Sequence, residues 1–112
     1  SAANPRPGDH DLMATLHLLS HSPFNDGRLA SCLHLLGPDD GLLLSGEAVY
    51  ALRDGTAPCQ VLELMPATNG LFALLEDLQA RGMDDVPARV IAVDYPGFVE
   101  LCTRFDKVNA WL

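Results

Sequence analysis

The feature that most constrains this chain is a set of short apolar runs with no polar alternation. Gly41–Ser45 reads GLLLS, and Arg89–Val93 reads RVIAV. A strand with one wet face alternates apolar and polar residues, because successive side chains point to opposite sides of the sheet. Beyond the leading Arg89, these runs have no polar face to turn to water. They read as strands covered on both sides, the condition of a parallel sheet between helices.

The stretches between the runs fit that scheme. Ala14–Ser20 (ATLHLLS) reads as a first strand, and Ser22-Pro23-Phe24-Asn25 as the turn after it. Asp26 is placed to cap a helix reaching Leu36, in which Leu29, Cys32, Leu33 and Leu36 follow the i, i+3, i+4, i+7 pattern. Gly37-Pro38 ends it, a C-cap glycine followed by a residue that cannot continue a helix. Glu47–Arg53 is a short helix before Asp54-Gly55. Pro58–Met65 fits a strand through Val61, Leu62 and Leu64, or a helix with Pro58 in its first turn. The helix is preferred, since strands on either side need a crossover to run parallel. Leu71–Leu75 reads as a strand, and Glu76–Arg81 as a helix closed by Gly82. Asp94 caps the last helix, Pro96 sits in its first turn, and Phe98, Val99, Leu101, Cys102 and Phe105 are expected to supply its apolar contacts. Asp106–Leu112 reads as a tail ending in Trp111-Leu112. The fold class is therefore α/β, with a mostly parallel sheet of four to five strands between helices. So narrow a sheet leaves apolar surface uncovered, which argues for oligomerisation. Leu35 agrees, lying about 110° from the helix's core stripe at about 100° per residue.

A length of 112 residues allows one domain with one core. Residues 1–12 carry Pro5, Pro7 and no apolar period, and read as a leader, disordered or not native, with a single domain over 13–112. No apolar run approaches the roughly 18 residues of a membrane span. The net charge is −8. A surface of that sign repels a phosphate backbone unless the few basic groups cluster, so direct nucleic-acid binding is not expected.

No phosphate-binding glycine motif, nucleophile elbow or metal-ligand spacing is present, so no cofactor and no metal are expected. Three cysteines, Cys32, Cys59 and Cys102, are too few for a disulfide scaffold and fit a reducing, cytoplasmic setting. Cys32 has leucine neighbours at helical spacing and lies beyond reach of the helix dipole, which favours packing over reactivity. Cys102 beside Leu101 and Phe105 has the same reading, more strongly; Cys59 is uninformative. Of the histidines, His10 lies in the leader, His17 is expected to be buried mid-strand, and His34 is expected at the surface. His21 follows the first strand, where open α/β sheets gather their active sites, and is either functional or a solvated loop residue.

Five segments in order, MATLHLLSHSPF, LASCLHLL, GLLLSGEAVYAL, LFALLEDLQARG and VDYPGFVELCTRFDKVNAWL, resemble the DsrH/TusB family over residues 13–112. The resemblance implies a small three-layer DsrE-like (flavodoxin-like) fold. It also implies a subunit of a cytoplasmic sulfur-relay complex, a heterohexamer with TusC/DsrF-like and TusD/DsrE-like paralogues. In the Tus branch such a complex passes persulfide sulfur to a TusE/DsrC-like acceptor, towards 2-thiolation of the tRNA wobble uridine. In the Dsr branch it serves sulfur oxidation. The main sulfur-carrying cysteine belongs, by this resemblance, to the TusD/DsrE-like partner, so this chain is expected to be a non-catalytic or auxiliary subunit. Cys32 in LASCL matches the cysteine that DsrH-type sequences carry in the first helix. It is the one candidate here for an auxiliary sulfur carrier, and a purely structural role is the alternative. Persulfide transfer needs a thiolate to attack the outer sulfur of R–S–SH, and therefore free thiols rather than a metal.

Overall fold

The computed structural model describes residues 14–25 and 27–112. The expected leader at residues 1–12, Met13 and the expected cap Asp26 lie outside them. The chain runs β1 (Thr15–Leu19), α1 (Arg28–Leu35), β2 (Gly41–Leu44), a 3-10 helix (Gly46–Leu52), α2 (Ala57–Glu63), β3 (Gly70–Leu74), α3 (Leu75–Ala80), β4 (Ile91–Val93), α4 (Tyr95–Cys102) and β5 (Lys107–Trp111). All strands are parallel, in the order β4-β3-β2-β1-β5. Among the described residues, no helix is long and apolar enough to cross a membrane.

The apolar run GLLLS behaves as its composition requires: all four residues of β2 are buried, at the centre of the sheet. Leu42 and Leu44 face the larger core with Leu19, Leu71 and Ala73, beneath α1, the 3-10 helix, α2 and α3. Leu43 points the other way with Leu16, where α4 supplies Leu101 and Phe98. Gly41 is required by contact, because a Cβ there would lie 2.8 Å from the Phe105 ring. Gly46, at φ +50°, makes the turn from β2 into the 3-10 helix.

The undecided segment 58–65 is helical. Thr56 Oγ1 accepts from the Cys59 amide at 3.3 Å, and Pro58 occupies the first turn, where its missing N–H costs nothing. Asp94 Oδ1 accepts from the Gly97 amide at 2.8 Å and starts α4 as its position suggests.

Four expectations need correction. The tail after Asp106 is a fifth strand, paired with β1 from Thr15↔Lys107 to Leu19↔Trp111. Its side chains are almost all exposed, so no apolar period announces it; the backbone pairing makes it a strand. The run Arg89–Val93 is not a fully buried strand. Only Ile91–Val93 pair, at the sheet edge, and Ile91 is 54 % exposed because no strand lies beyond it. Val99 contributes little to the core, being 64 % exposed on the outer side of α4. Gly37 is not a left-handed C-cap: α1 ends at Leu35 with Leu36 extended, and the Gly37 amide instead donates to Asp40 Oδ2 at 2.8 Å.

Candidate functional site

The inner face of α1 carries Leu29 and Cys32 into the larger core, against the sheet residues Leu19, Leu42 and Leu44. Cys32 is fully buried, at 0 % exposure. Burial, reinforced by the negative charge of Asp40, pushes its thiol up to about 12 from an ordinary 9.0. At neutral pH it is a thiol, and thiols neither attack persulfides nor bind metals. Cys59 is also buried and shifted upward, by burial first and then by Glu63 and Asp54. Cys102, which the sequence suggested was the more securely packed, is only half-buried, because the face it occupies has a single covering helix.

Asp40 belongs to a polar network inside this apolar surround. Its Oδ1 accepts from the Thr15 amide at 2.8 Å, and its Oδ2 from the Gly37 amide at 2.8 Å. His17 Nε2 lies 3.2 Å from the same Oδ2, and Trp111 Nε1–H donates to His17 Nδ1 at 3.1 Å. Burial would raise the Asp40 carboxyl, but the Gly37 and Thr15 amides, together with His17, outweigh it and hold the group below its usual value. Asn69 supports the turn from below, its amide donating to the carbonyls of Gly37 and Asp40 at 2.8 and 2.9 Å. His17 is buried as expected; its partners were not foreseen. They lie 23 and 94 residues away in sequence, and the short polar residue before β2 was the one visible hint.

The carboxyl ends of the strands hold a different feature. Leu43, Ser45, Leu74, Asp77, Tyr95 and Phe98 line a cavity of about 210 Å³ under the start of α4. Ligands of open α/β sheets occupy this end. No cysteine or histidine lines it. His21 is exposed beyond β1, without a hydrogen-bonding partner among the described residues, and His34 is exposed on α1. The fold therefore does not bring Cys32 and His21 together: one is inside the larger core, the other in solvent. No group of three or more His, Cys, Asp or Glu side chains among the described residues is arranged to hold a metal ion.

Fold and site define a small all-parallel α/β protein in which Cys32 and Cys59 are buried and His17 and Asp40 are engaged in structural bonds. The family model for DsrH-like proteins matches residues 21–108. A Protein TusB from Erwinia tasmaniensis is 38 % identical over 97 residues, covering 86 % of this chain and 99 % of that protein. A Protein TusB from an Enterobacter species is 33 % identical over the same shares. The crystal structure of the ychN protein from E. coli shares the fold at a TM-score of 0.72 and 20 % identity, covering 88 % of this chain and all of that one. The chain belongs to the DsrH-like family.

Proposed function

We propose that the chain is a TusB-like subunit of a cytoplasmic sulfur-relay complex, which passes persulfide sulfur towards 2-thiolation of the tRNA wobble uridine. The observation that carries this reading is the end-to-end match to a Protein TusB, 99 % of which is covered. Its partners are TusC/DsrF-like and TusD/DsrE-like paralogues, with a TusE/DsrC-like protein as acceptor. The buried state of Cys32 supports a contribution through assembly, since a protonated thiol at 0 % exposure is poorly suited to sulfur transfer. An auxiliary carrier role for Cys32 would require α1 to lift from the sheet during the relay. The thin cover of the second face supports the assembly role, with Tyr95, Val99, Ile91 and Val108 exposed around α4 and the sheet edges.

Co-purification of the untagged chain from its native host tests the reading. Recovery with two paralogues and a small carrier of a tRNA thiouridylase pathway is the expected result. Recovery with sulfur-oxidation proteins would move the chain to the DsrH branch, and a monomer that ignores both paralogues would end the subunit reading.

A further inference from the structure

The buried network around His17 has a property set by its donors and acceptors. An indole N–H can only donate. With Trp111 Nε1 3.1 Å from His17 Nδ1, that ring nitrogen must be the acceptor, so it carries no proton. The proton of the neutral ring is then on Nε2, where it donates to Asp40 Oδ2 at 3.2 Å. Every polar atom of the imidazole is used. A second proton could go only onto Nδ1, where it would confront the indole N–H, donor against donor. The Asp40 bond would survive that event and the Trp111 bond would not.

Trp111 ends β5, and beyond the backbone ladder to β1 few side-chain contacts hold the strand's last residues. Its side chains are exposed up to Trp111, which alone reaches the larger core. Past the tryptophan, Arg28 Nε and Nη2 donate to the Leu112 oxygen at 3.1 and 2.8 Å, on the protein surface. At its other end the strand is anchored separately, by the Asp106 and Lys107 amides donating to the Ala14 oxygen and by the Ala14 amide donating to Asp106 Oδ2. We propose that β5 is a strap fastened by the unprotonated imidazole of His17, such that docking of Trp111 and protonation of His17 exclude one another. Acid unfastens the C-terminal half of the strand from β1 and leaves the rest of the sheet in place.

The surroundings of the ring give the strap its antagonism. Asp40, from the turn before β2, attracts a second proton to the imidazole; Trp111, from β5, refuses it. Cys32 on α1 lies within electrostatic reach of Asp40 and is uncharged at neutral pH. The strand neighbours in register, Leu42 on β2 and Asn109 on β5, carry no charge. Near the strap, the Arg28 guanidinium donates to the Leu112 oxygen.

Trp111 is the chain's single tryptophan, so its fluorescence reports on the strap without interference. Acrylamide quenching of the full chain is measured as the pH is lowered from about 8 to 5. The Stern–Volmer constant should rise several-fold while the far-UV circular dichroism stays unchanged. In His17→Gln, whose amide can accept from the indole and donate to Asp40 but cannot take up a proton, the constant should stay flat. A flat profile in the wild type, or the same rise in His17→Gln, would overturn the proposal. Should His17→Gln fail to fold, ¹⁵N shifts of the wild-type imidazole decide. The proposal requires the Nε2–H tautomer at high pH and loss of indole N–H protection on protonation. An Nδ1–H tautomer, or an imidazolium beside a still-protected indole N–H, contradicts it.

Discussion

At the residue scale, Cys32 decides how much chemistry this chain can do by itself. Cys32→Ser places a hydroxyl where a weakly polar sulfur was fully enclosed. An unpaired buried hydroxyl costs about 1–3 kcal/mol, so urea denaturation should show a loss of that order. Relay flux in the reconstituted complex should fall only as folded protein falls. Complete loss of flux in a normally folded, normally assembled variant would instead make the chain an obligatory carrier. The same thiol sets an alkaline limit. Its value is raised in the fold, from 9.0 to about 12, so its contribution is complete below 9.0 and is lost as pH rises towards 12. Stability measured across that window should fall more steeply in the wild type than in Cys32→Ala. Asp40 works with the opposite sign. Its carboxyl is held low, so its contribution is present above the ordinary value of 3.8 and is lost as pH falls through its folded value. Asp40→Asn should therefore lose stability at neutral pH and flatten the acid limb of the unfolding profile.

At the scale of elements, two helix ends carry the weight. Asp94 is the N-cap of α4, whose first amide, that of Tyr95, donates to Glu76 Oε2 at 3.2 Å, and α4 alone covers the second face of the sheet among the described residues. Asp94→Ala should cost about 0.5–2 kcal/mol and should shift thermal melting without altering the larger core. Arg89 serves the other. Its guanidinium donates to the carbonyls of Leu62, Met65, Pro66 and Asn69 at 2.7–3.3 Å, closing the C-terminal end of α2 with a cation where the helix dipole favours one. In the sequence Arg89 reads as the first residue of a strand. A cation that spans back by more than twenty residues to close a helix has no local signature.

At the scale of the whole molecule, the two faces of the sheet differ in cover. Four helical segments lie over the larger core and one over the smaller. Leu35 and Leu64 remain exposed on the first side, and Tyr95 and Val99 on the second. Stable interfaces bury about 1,200–2,000 Å² in total, and an exposed apolar surface of this kind predicts association. Alone, the chain should self-associate in sedimentation experiments; mixed with the two paralogues proposed above it should run as one larger species. With fifteen acidic and seven basic side chains, it should show no tRNA binding at physiological salt in a filter assay. Micromolar binding that weakens steeply with salt would reveal a basic cluster.

The sequence by itself determined the class of fold, because unbroken apolar runs such as GLLLS cannot be half-wet and the helical patterns between them supply the cover. It also located Pro58 in the first turn of the preferred helix, the cap at Asp94, the turn after β1 and the buried states of His17 and Cys32, all of which are written in spacing within a turn or two of the residue concerned. Only the tertiary structure decided that Lys107–Trp111 is a strand, since a parallel partner lies more than ninety residues away and the strand has no apolar face of its own. Only it decided that Ile91 is at an edge, a matter of which strand lies beyond it. The tie from Asp40 through His17 to Trp111 was illegible for the same reason: each member looks ordinary in its own segment, and the hydrogen bonds that give them a role exist only where three distant stretches of chain meet.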